Sequence, residues 1–143
     1  MGRQPGPPAT VLPGRKQAYM SLRALVVEDN IGDFDLIATW LQQAFGDRIS
    51  LDHAPSVEAA AELMGTNDYA VILHDLLMPP WGPEAITAAY KRSPETPIIA
   101  MSGQSSPELH RTAISNGAKL FCAKSDLRGD NIISILGHLI PGI

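Results

Sequence analysis

Short apolar runs of this sequence end in residues that could bind a metal ion or a phosphoryl group. They are Glu28 and Asp29, Asp75, Ser102 and Lys124. If the runs are neighbouring parallel strands, these side chains meet at one edge of a sheet, where α/β proteins bind ligands. Two like charges ~4 Å apart repel by ~4 kcal/mol at an effective dielectric of 20, so three carboxylates there favour a bound cation. Oxygen ligands without histidine or cysteine indicate Mg²⁺ or Mn²⁺.

Asp75 is the member of this group that we expect to react. A carboxylate held beside Mg²⁺ can attack an activated phosphate and form an acyl phosphate. Ser102 offers a hydroxyl and Lys124 an ammonium group, and both can stabilise the negative oxygens of a phosphoryl group. We therefore predict that Asp75 is a phosphoryl acceptor and that Ser102 and Lys124 complete the site.

Apolar runs alternate with amphipathic segments along the chain, which predicts a five-stranded parallel sheet with helices on both faces, a doubly wound α/β fold. The strands are predicted at Leu22–Val27, Ile49–His53, Ala70–His74, Pro97–Met101 and Leu120–Ala123. The helices are predicted at Asp33–Phe45, Val57–Met64, Pro83–Lys91, Pro107–Asn116 and Arg128–Leu139. Local signals agree with these bounds: Gly46, Gly65 and Gly117 follow predicted helices, where a left-handed residue is common, and Ser106 before Pro107 is typical of an N-cap.

Four segments resemble the motifs of the receiver domain of two-component response regulators. They are VVEDN, VILHDLLMP, AMSG and the segment from Gly117-Ala118 to Lys124, and they occur in the family's order. The resemblance extends from Leu22 to about Leu139. It implies a flavodoxin-like receiver domain at residues 21–143. Residues 1–20 are rich in proline and glycine and have no apolar periodicity, which predicts a tail or linker.

The resemblance also implies a role for each site residue. Glu28, Asp29, Asp75 and the backbone carbonyl of Leu77 are implied to bind Mg²⁺. Ser102 and Lys124 are implied to contact the phosphoryl group. Phe121 matches an aromatic switch residue that turns inward when Ser102 moves toward the phosphate. The implied donor is the phosphohistidine of a sensor histidine kinase or phosphotransfer protein, and the implied output is a changed surface for a downstream target protein.

Simpler interpretations of the same residues stay open at this point. Glu28 and Asp29 could cap the helix that follows them, because a helix N-terminus favours negative charge. Ser102 could be a turn residue and Lys124 a solvated surface residue. Phe121 near a strand end could be part of the core.

The sequence departs from the family pattern in two places. Ser125 follows Lys124 where family members usually have proline, often with a cis bond that shapes the turn. After Pro79 the family commonly has a small residue and then an aspartate-glycine pair, whereas this chain has Pro80, Trp81, Gly82 and Pro83, which makes Trp81 an exposed candidate for partner contact. These differences keep a second hypothesis open, a pseudo-receiver scaffold that binds partners without phosphorylation.

Other reactions fit less well. A phosphohydrolase with an aspartate nucleophile commonly needs a second acid two positions later, where this chain has Leu77. No glycine-rich phosphate loop follows the first predicted strand. His74 precedes Asp75 and alternation points it into a helix-covered layer, so we expect a hydrogen-bonded core histidine. The chain is therefore expected to be a switch with at most slow self-dephosphorylation.

Composition limits the partners. The 143 residues are 45% hydrophobic and carry a formal net charge of −4, which fits one globular domain and argues against direct nucleic-acid binding. The single cysteine, Cys122, excludes a disulfide framework and a cysteine-based zinc site. No apolar run has the ~20 residues that cross a bilayer, so we expect a cytoplasmic protein that does not contact membranes. Homodimer formation is left open.

Overall fold

Five parallel strands form one sheet in the computed structural model, which describes residues 21–142. The strands are β1 (Leu22–Val27), β2 (Ile49–Ala54), β3 (Val71–Asp75), β4 (Ile98–Ser102) and β5 (Leu120–Ala123). Their order in the sheet is β2-β1-β3-β4-β5, so β3 is central. The predicted bounds of β1 and β5 are confirmed. Strands β3 and β4 each begin and end one residue later than predicted, which makes Asp75 and Ser102 the last residues of their strands.

Five α-helices connect or follow these strands. They are α1 (Ile31–Phe45), α2 (Val57–Thr66), α3 (Glu84–Arg92), α4 (Pro107–Ser115) and α5 (Asn131–Leu139). Two short 3₁₀ turns, Gly46–Arg48 and Lys124–Leu127, lie before β2 and after β5. Within the described residues no helix combines the length and the apolar character needed to cross a membrane.

Each face of the sheet has its own apolar core. Leu22 and Val26 of β1 belong to a cluster that also contains Leu41 of α1 and Leu136 of α5. On the other face, residues of β1, β3 and β4 pack against α2, α3 and α4. Alternate residues of a strand point to opposite faces, so one apolar strand supplies both cores. The predicted doubly wound fold is confirmed.

Several predicted helix ends are confirmed by their caps, and one is wrong. The hydroxyl of Ser106 accepts a hydrogen bond from the Leu109 N–H at the start of α4. Gly46 and Gly117 have positive φ angles of 55° and 118°. Gly65, in contrast, lies inside α2. This helix continues to Thr66 because Asn67 ends it, with both its backbone N–H and its side-chain amide donating to the Leu63 carbonyl.

Three predicted helix starts also move, that of α3 by only one residue, to Glu84. Helix α1 begins at Ile31, earlier than predicted, because the side chain of Asn30 accepts from the Asp33 N–H and caps the helix. Helix α5 begins at Asn131 and not at Arg128, because Gly129 has a φ of 63°, which a right-handed helix cannot contain. The predicted tail at residues 1–20 lies outside the described residues.

Candidate functional site

The carboxyl ends of β1 and β3 bring three acidic side chains together. Glu28 and Asp29 directly follow β1, and Asp75 ends β3. One carboxylate oxygen of each lies within 4.8 Å of those of the other two. In the strand order, β2 is the neighbour of β1 on one side and β3 is its neighbour on the other side. Ligands of open α/β sheets bind at such a reversal of strand order.

Glu28 is the buried member of the cluster. Its side chain is fully buried, and one oxygen accepts a hydrogen bond from the Asn30 N–H at 3.1 Å. The other oxygen, Oε1, lies 2.8 Å from Lys124 Nζ, at ion-pair distance but without the direction of a hydrogen bond. Desolvation raises the pKa of Glu28 to about 7 and outweighs the lowering by Lys124 and the Asn30 N–H. A buried carboxylate of this kind is stabilised by added positive charge.

Lys124 forms ion pairs with acidic residues from three parts of the chain. Its Nζ lies 2.7 Å from Asp33 Oδ2 and 3.4 Å from Asp75 Oδ2, besides its contact with Glu28. Burial lowers the pKa of Lys124, but its close contacts with Asp33 and Glu28 and the charge of Asp75 raise the pKa by more, so the net shift is upward. The ammonium group therefore stays charged among the acids. The interpretation of Lys124 as a solvated surface residue is wrong.

Asp33 is a candidate site residue that the sequence analysis missed. It lies in the first turn of α1, and 91 residues separate it from Lys124. The available signal was an acidic side chain in the first turn of the helix that follows Glu28 and Asp29. The cap of that helix is Asn30, so the interpretation of Glu28 and Asp29 as its caps is not supported.

Leu77 and Ser102 flank Asp75 in different ways. The Leu77 N–H donates to Asp75 Oδ1 at 3.0 Å, while the Leu77 side chain is 50% exposed. Ser102 is buried, and its Oγ accepts from the Gln104 N–H at 3.3 Å. The backbone of Leu77 thus orients the carboxylate, and the Ser102 hydroxyl keeps its own proton available for donation.

Three aromatic side chains that the sequence analysis singled out lie on β5, in the loop before α3 and on β3. Phe121 on β5 is half-buried, packs on the core under α4 and meets the His110 ring edge-on, with centroids 6.1 Å apart. Trp81 is 43% exposed, which confirms its predicted exposure, and its Nε1–H donates to Glu58 Oε2 at 3.3 Å. His74 is the hydrogen-bonded core histidine that was predicted: it is 1% exposed, and its Nδ1 lies 2.8 Å from the Asp75 carbonyl oxygen. Burial lowers the pKa of His74.

The family model for the response regulator receiver domain matches residues 24–135. This chain belongs to that family. Receiver domains of two-component systems are signalling domains and not classical enzymes, and phosphorylation-dependent switching is general among them. The resemblance stated from the four sequence motifs is thereby confirmed.

Solved receiver-domain structures share the fold of this receiver domain. The receiver domain of the Francisella response regulator 1452 is 24% identical over 82% of this chain and 95% of its own, with a TM-score of 0.69. The chemotaxis response regulator CheY4 of Vibrio cholerae is 20% identical over 85% of this chain and 100% of its own, with a TM-score of 0.72. No curated protein sequence matches the chain.

A third similar structure contains a modified site. It is a response regulator protein from Burkholderia pseudomallei with a phosphorylated aspartic acid, a calcium ion and citrate. It is 24% identical to this receiver domain over 84% of this chain and 67% of its own, with a TM-score of 0.67. At these identities the three structures establish the fold of this receiver domain.

Proposed function

We propose that this receiver domain is a phosphorylation-controlled switch and that Asp75 accepts a phosphoryl group from the phosphohistidine of a sensor histidine kinase or phosphotransfer protein in the cytoplasm. The observation that carries this proposal is the position of Asp75 Oδ2. It lies 3.4 Å from the Lys124 ammonium nitrogen, within the cluster that Asp75 forms with Glu28 and Asp29. A nucleophilic carboxylate, a fixed cation and further acids are the groups that phosphoryl transfer to aspartate requires.

The acidic cluster fits Mg²⁺. Glu28 is a buried carboxylate with a raised pKa, and its Oε1 has an ion-pair contact but no directed hydrogen bond. Glu28, Asp29 and Asp75 would hold the ion, and we assign the backbone carbonyl of Leu77 as a further ligand. When bound, Mg²⁺ supplies positive charge that relieves the repulsion between the carboxylates and stabilises phosphoryl oxygens.

The chain's own groups then have separate tasks. The Leu77 N–H holds Asp75 Oδ1, which orients the carboxylate toward the incoming phosphorus. The Asp75 oxygen forms the new P–O bond, the P–N bond to the donor imidazole breaks, and its electron pair stays on that imidazole. Lys124 is the fixed cation for the transferred oxygens, and the Ser102 hydroxyl can donate a hydrogen bond to one of them.

Switching follows from the hydrogen bond that Ser102 makes in this structure. Its Oγ accepts from the Gln104 N–H at 3.3 Å, a long and therefore weak bond, and its O–H hydrogen can be donated to a phosphoryl oxygen, which would draw Ser102 toward Asp75. Movement of Ser102 toward Asp75 would open space beside Phe121, whose half-buried ring would turn inward and away from His110. The surface formed by α4 and β5 would change, and a downstream target protein would detect that change.

Chemical phosphorylation tests the assignment. Acetyl phosphate or phosphoramidate with Mg²⁺ is expected to add one phosphoryl group, measured by intact mass. Asp75→Asn should abolish labelling, because an amide cannot form an acyl phosphate. Asp68→Asn is a matched control, since this exposed residue precedes β3 at the opposite edge of the sheet.

The outcomes separate the two functional hypotheses. Equal labelling of Asp75→Asn would contradict the site assignment. No labelling of the wild type, with or without Mg²⁺, would contradict the switch and favour a scaffold that binds partners without phosphorylation.

A further inference from the structure

A cavity of about 170 Å³ lies between α2 and α3, and it takes no part in the site described above. Most of its wall is apolar. The apolar wall residues are Val57, Ala60, Ala61 and Met64 of α2 and Ala85 and Ala89 of α3. An apolar cavity of about 150 Å³ in another protein is large enough to bind benzene, so this one can take a molecule with a single aromatic ring.

His74 contributes the buried polar group of the wall. Its side chain is 1% exposed, and its Nδ1 lies 2.8 Å from the Asp75 carbonyl oxygen. A carbonyl oxygen can only accept, so Nδ1 carries the hydrogen, and Nε2 of the neutral ring is an acceptor. No group within residues 21–142 donates a hydrogen bond to Nε2. Because Nε2 has no donor among these residues, it can accept a hydrogen bond from an O–H or N–H group of a ligand.

The cavity has charged residues only at its rim. Among the residues that line it, Glu58 and Arg92 are charged, and both are exposed. The Trp81 indole N–H donates to Glu58 Oε2, which ties the loop before α3 to the first turn of α2 and keeps the indole in the wall. An apolar wall disfavours a buried charge, and an indole favours contact with another aromatic ring.

We propose that this cavity binds a small neutral aromatic molecule with one O–H or N–H donor, which hydrogen-bonds to His74 Nε2. The molecule would contact His74, which directly precedes Asp75 and hydrogen-bonds to the Asp75 carbonyl oxygen. The proposal does not depend on phosphorylation of Asp75, so it is tested on unphosphorylated protein without a phosphodonor.

Phenol and toluene are matched probes, because they have nearly the same shape and differ only in that phenol has a hydroxyl group where toluene has a methyl group. Each is titrated into the full chain while the indole N–H signal of Trp81 is followed by NMR. One net hydrogen bond predicts that phenol binds roughly two- to tenfold more tightly than toluene. Binding of neither probe, or equal binding of both, would overturn the proposal.

Two variants test the residues. His74→Leu replaces the imidazole with an apolar side chain of similar size and removes the acceptor, so the preference for phenol should disappear. Ala61→Met fills the cavity, and because Met is a good helix former, α2 should keep its structure. Both probes should then bind at least tenfold more weakly. Ala44→Met on α1 is the control, because Ala44 packs on the opposite core and should leave binding unchanged. A retained preference in folded His74→Leu, or undiminished binding in Ala61→Met, would contradict the assignment.

Discussion

Lys124 Nζ lies closer to Asp33 Oδ2, at 2.7 Å, than to Asp75 Oδ2, at 3.4 Å. The shorter contact is a charge-assisted hydrogen bond to a residue of α1, whereas the longer one reaches the proposed acceptor. The Asp33 side chain is 39% exposed and that of Asp75 14% exposed, so water competes more for Asp33. Because Asp33 makes the shorter contact, we expect it to compete with a phosphoryl group for Lys124.

Asp33→Asn is expected to increase the rate of labelling by phosphoramidate. The substitution weakens the competing contact, while the backbone N–H at residue 33 still bonds to the Asn30 cap. A change of about 0.5 to 1.4 kcal/mol in the barrier corresponds to a roughly two- to tenfold faster rate. Initial rates from intact mass measure it.

Asp35→Asn is the control for that experiment. It makes the same charge change on α1 at an exposed residue that is not paired with Lys124. Equal acceleration by both variants would mean that net charge acts and not the Asp33–Lys124 contact, and a slower Asp33→Asn protein would show that Asp33 positions Lys124 productively.

Asp29→Ala is expected to weaken Mg²⁺ binding and to stabilise the metal-free protein. Mg²⁺ binding by the wild type is expected in the millimolar range. Removing one of three crowded carboxylates takes away a ligand and also the repulsion that the cation relieves. Without Mg²⁺ the melting temperature should rise by roughly a few degrees. Calorimetric titration and thermal melting with and without Mg²⁺ test both effects.

Asp47→Ala is a suitable comparison for Asp29→Ala, because Asp47 is exposed and lies before β2, at the other edge of the sheet. It should leave Mg²⁺ affinity unchanged. A sharp fall in the melting temperature of metal-free Asp29→Ala would show that the cluster is structural and that the metal assignment fails.

Leu77 is expected to protect the phosphorylated state. An acyl phosphate decays when water attacks in line with phosphorus, and the exposed apolar side chain of Leu77 cannot orient that water. Leu77→Asn or Leu77→Glu should speed loss of phosphate by about tenfold, which needs only ~1.4 kcal/mol. Gln104→Ala should change the rate less, since a neutral amide is a weak base. Decay after donor removal measures these rates, and unchanged or slower decay in both Leu77 variants would contradict the prediction.

The pH dependence of stability can be tested at Asp52, away from the acidic cluster. The Tyr69 hydroxyl donates to Asp52 Oδ2 at 2.7 Å, and this bond, followed by Arg23, lowers the pKa of Asp52. A carboxyl group whose pKa is lower in the folded state stabilises the protein above its unfolded pKa, about 3.9, and loses this contribution as pH falls through the folded pKa.

Tyr69→Phe is therefore expected to lower the free energy of unfolding by about 1 kcal/mol at pH 7 and by less at pH 2 to 3. Urea unfolding at several pH values measures the difference. Tyr90→Phe is the control, because Tyr90 is exposed. A Tyr69→Phe effect that is the same at all these pH values would show that packing, and not the bond to Asp52, is responsible.

Local patterns were sufficient for most of the fold. Apolar runs of strand length predicted β1 and β5 at their observed bounds, and Ser106-Pro107 predicted the start of α4. These signals succeed because backbone periodicity and capping depend on residues a few positions apart. The prediction failed at the end of α2, where two local signals compete. Gly65 indicated a helix end there, but the side chain of Asn67 ends the helix later.

The sequence by itself determined which residue types end the strands, and hence that Glu28, Asp29 and Asp75 would meet at one edge of the sheet. Only the tertiary structure decided that Lys124 contacts Asp33 more closely than Asp75, across 91 residues of chain. It also decided that His74 lines a cavity between α2 and α3. Such contacts depend on how helices pack on the sheet and which rotamers that packing allows, and no spacing along the chain encodes those distances.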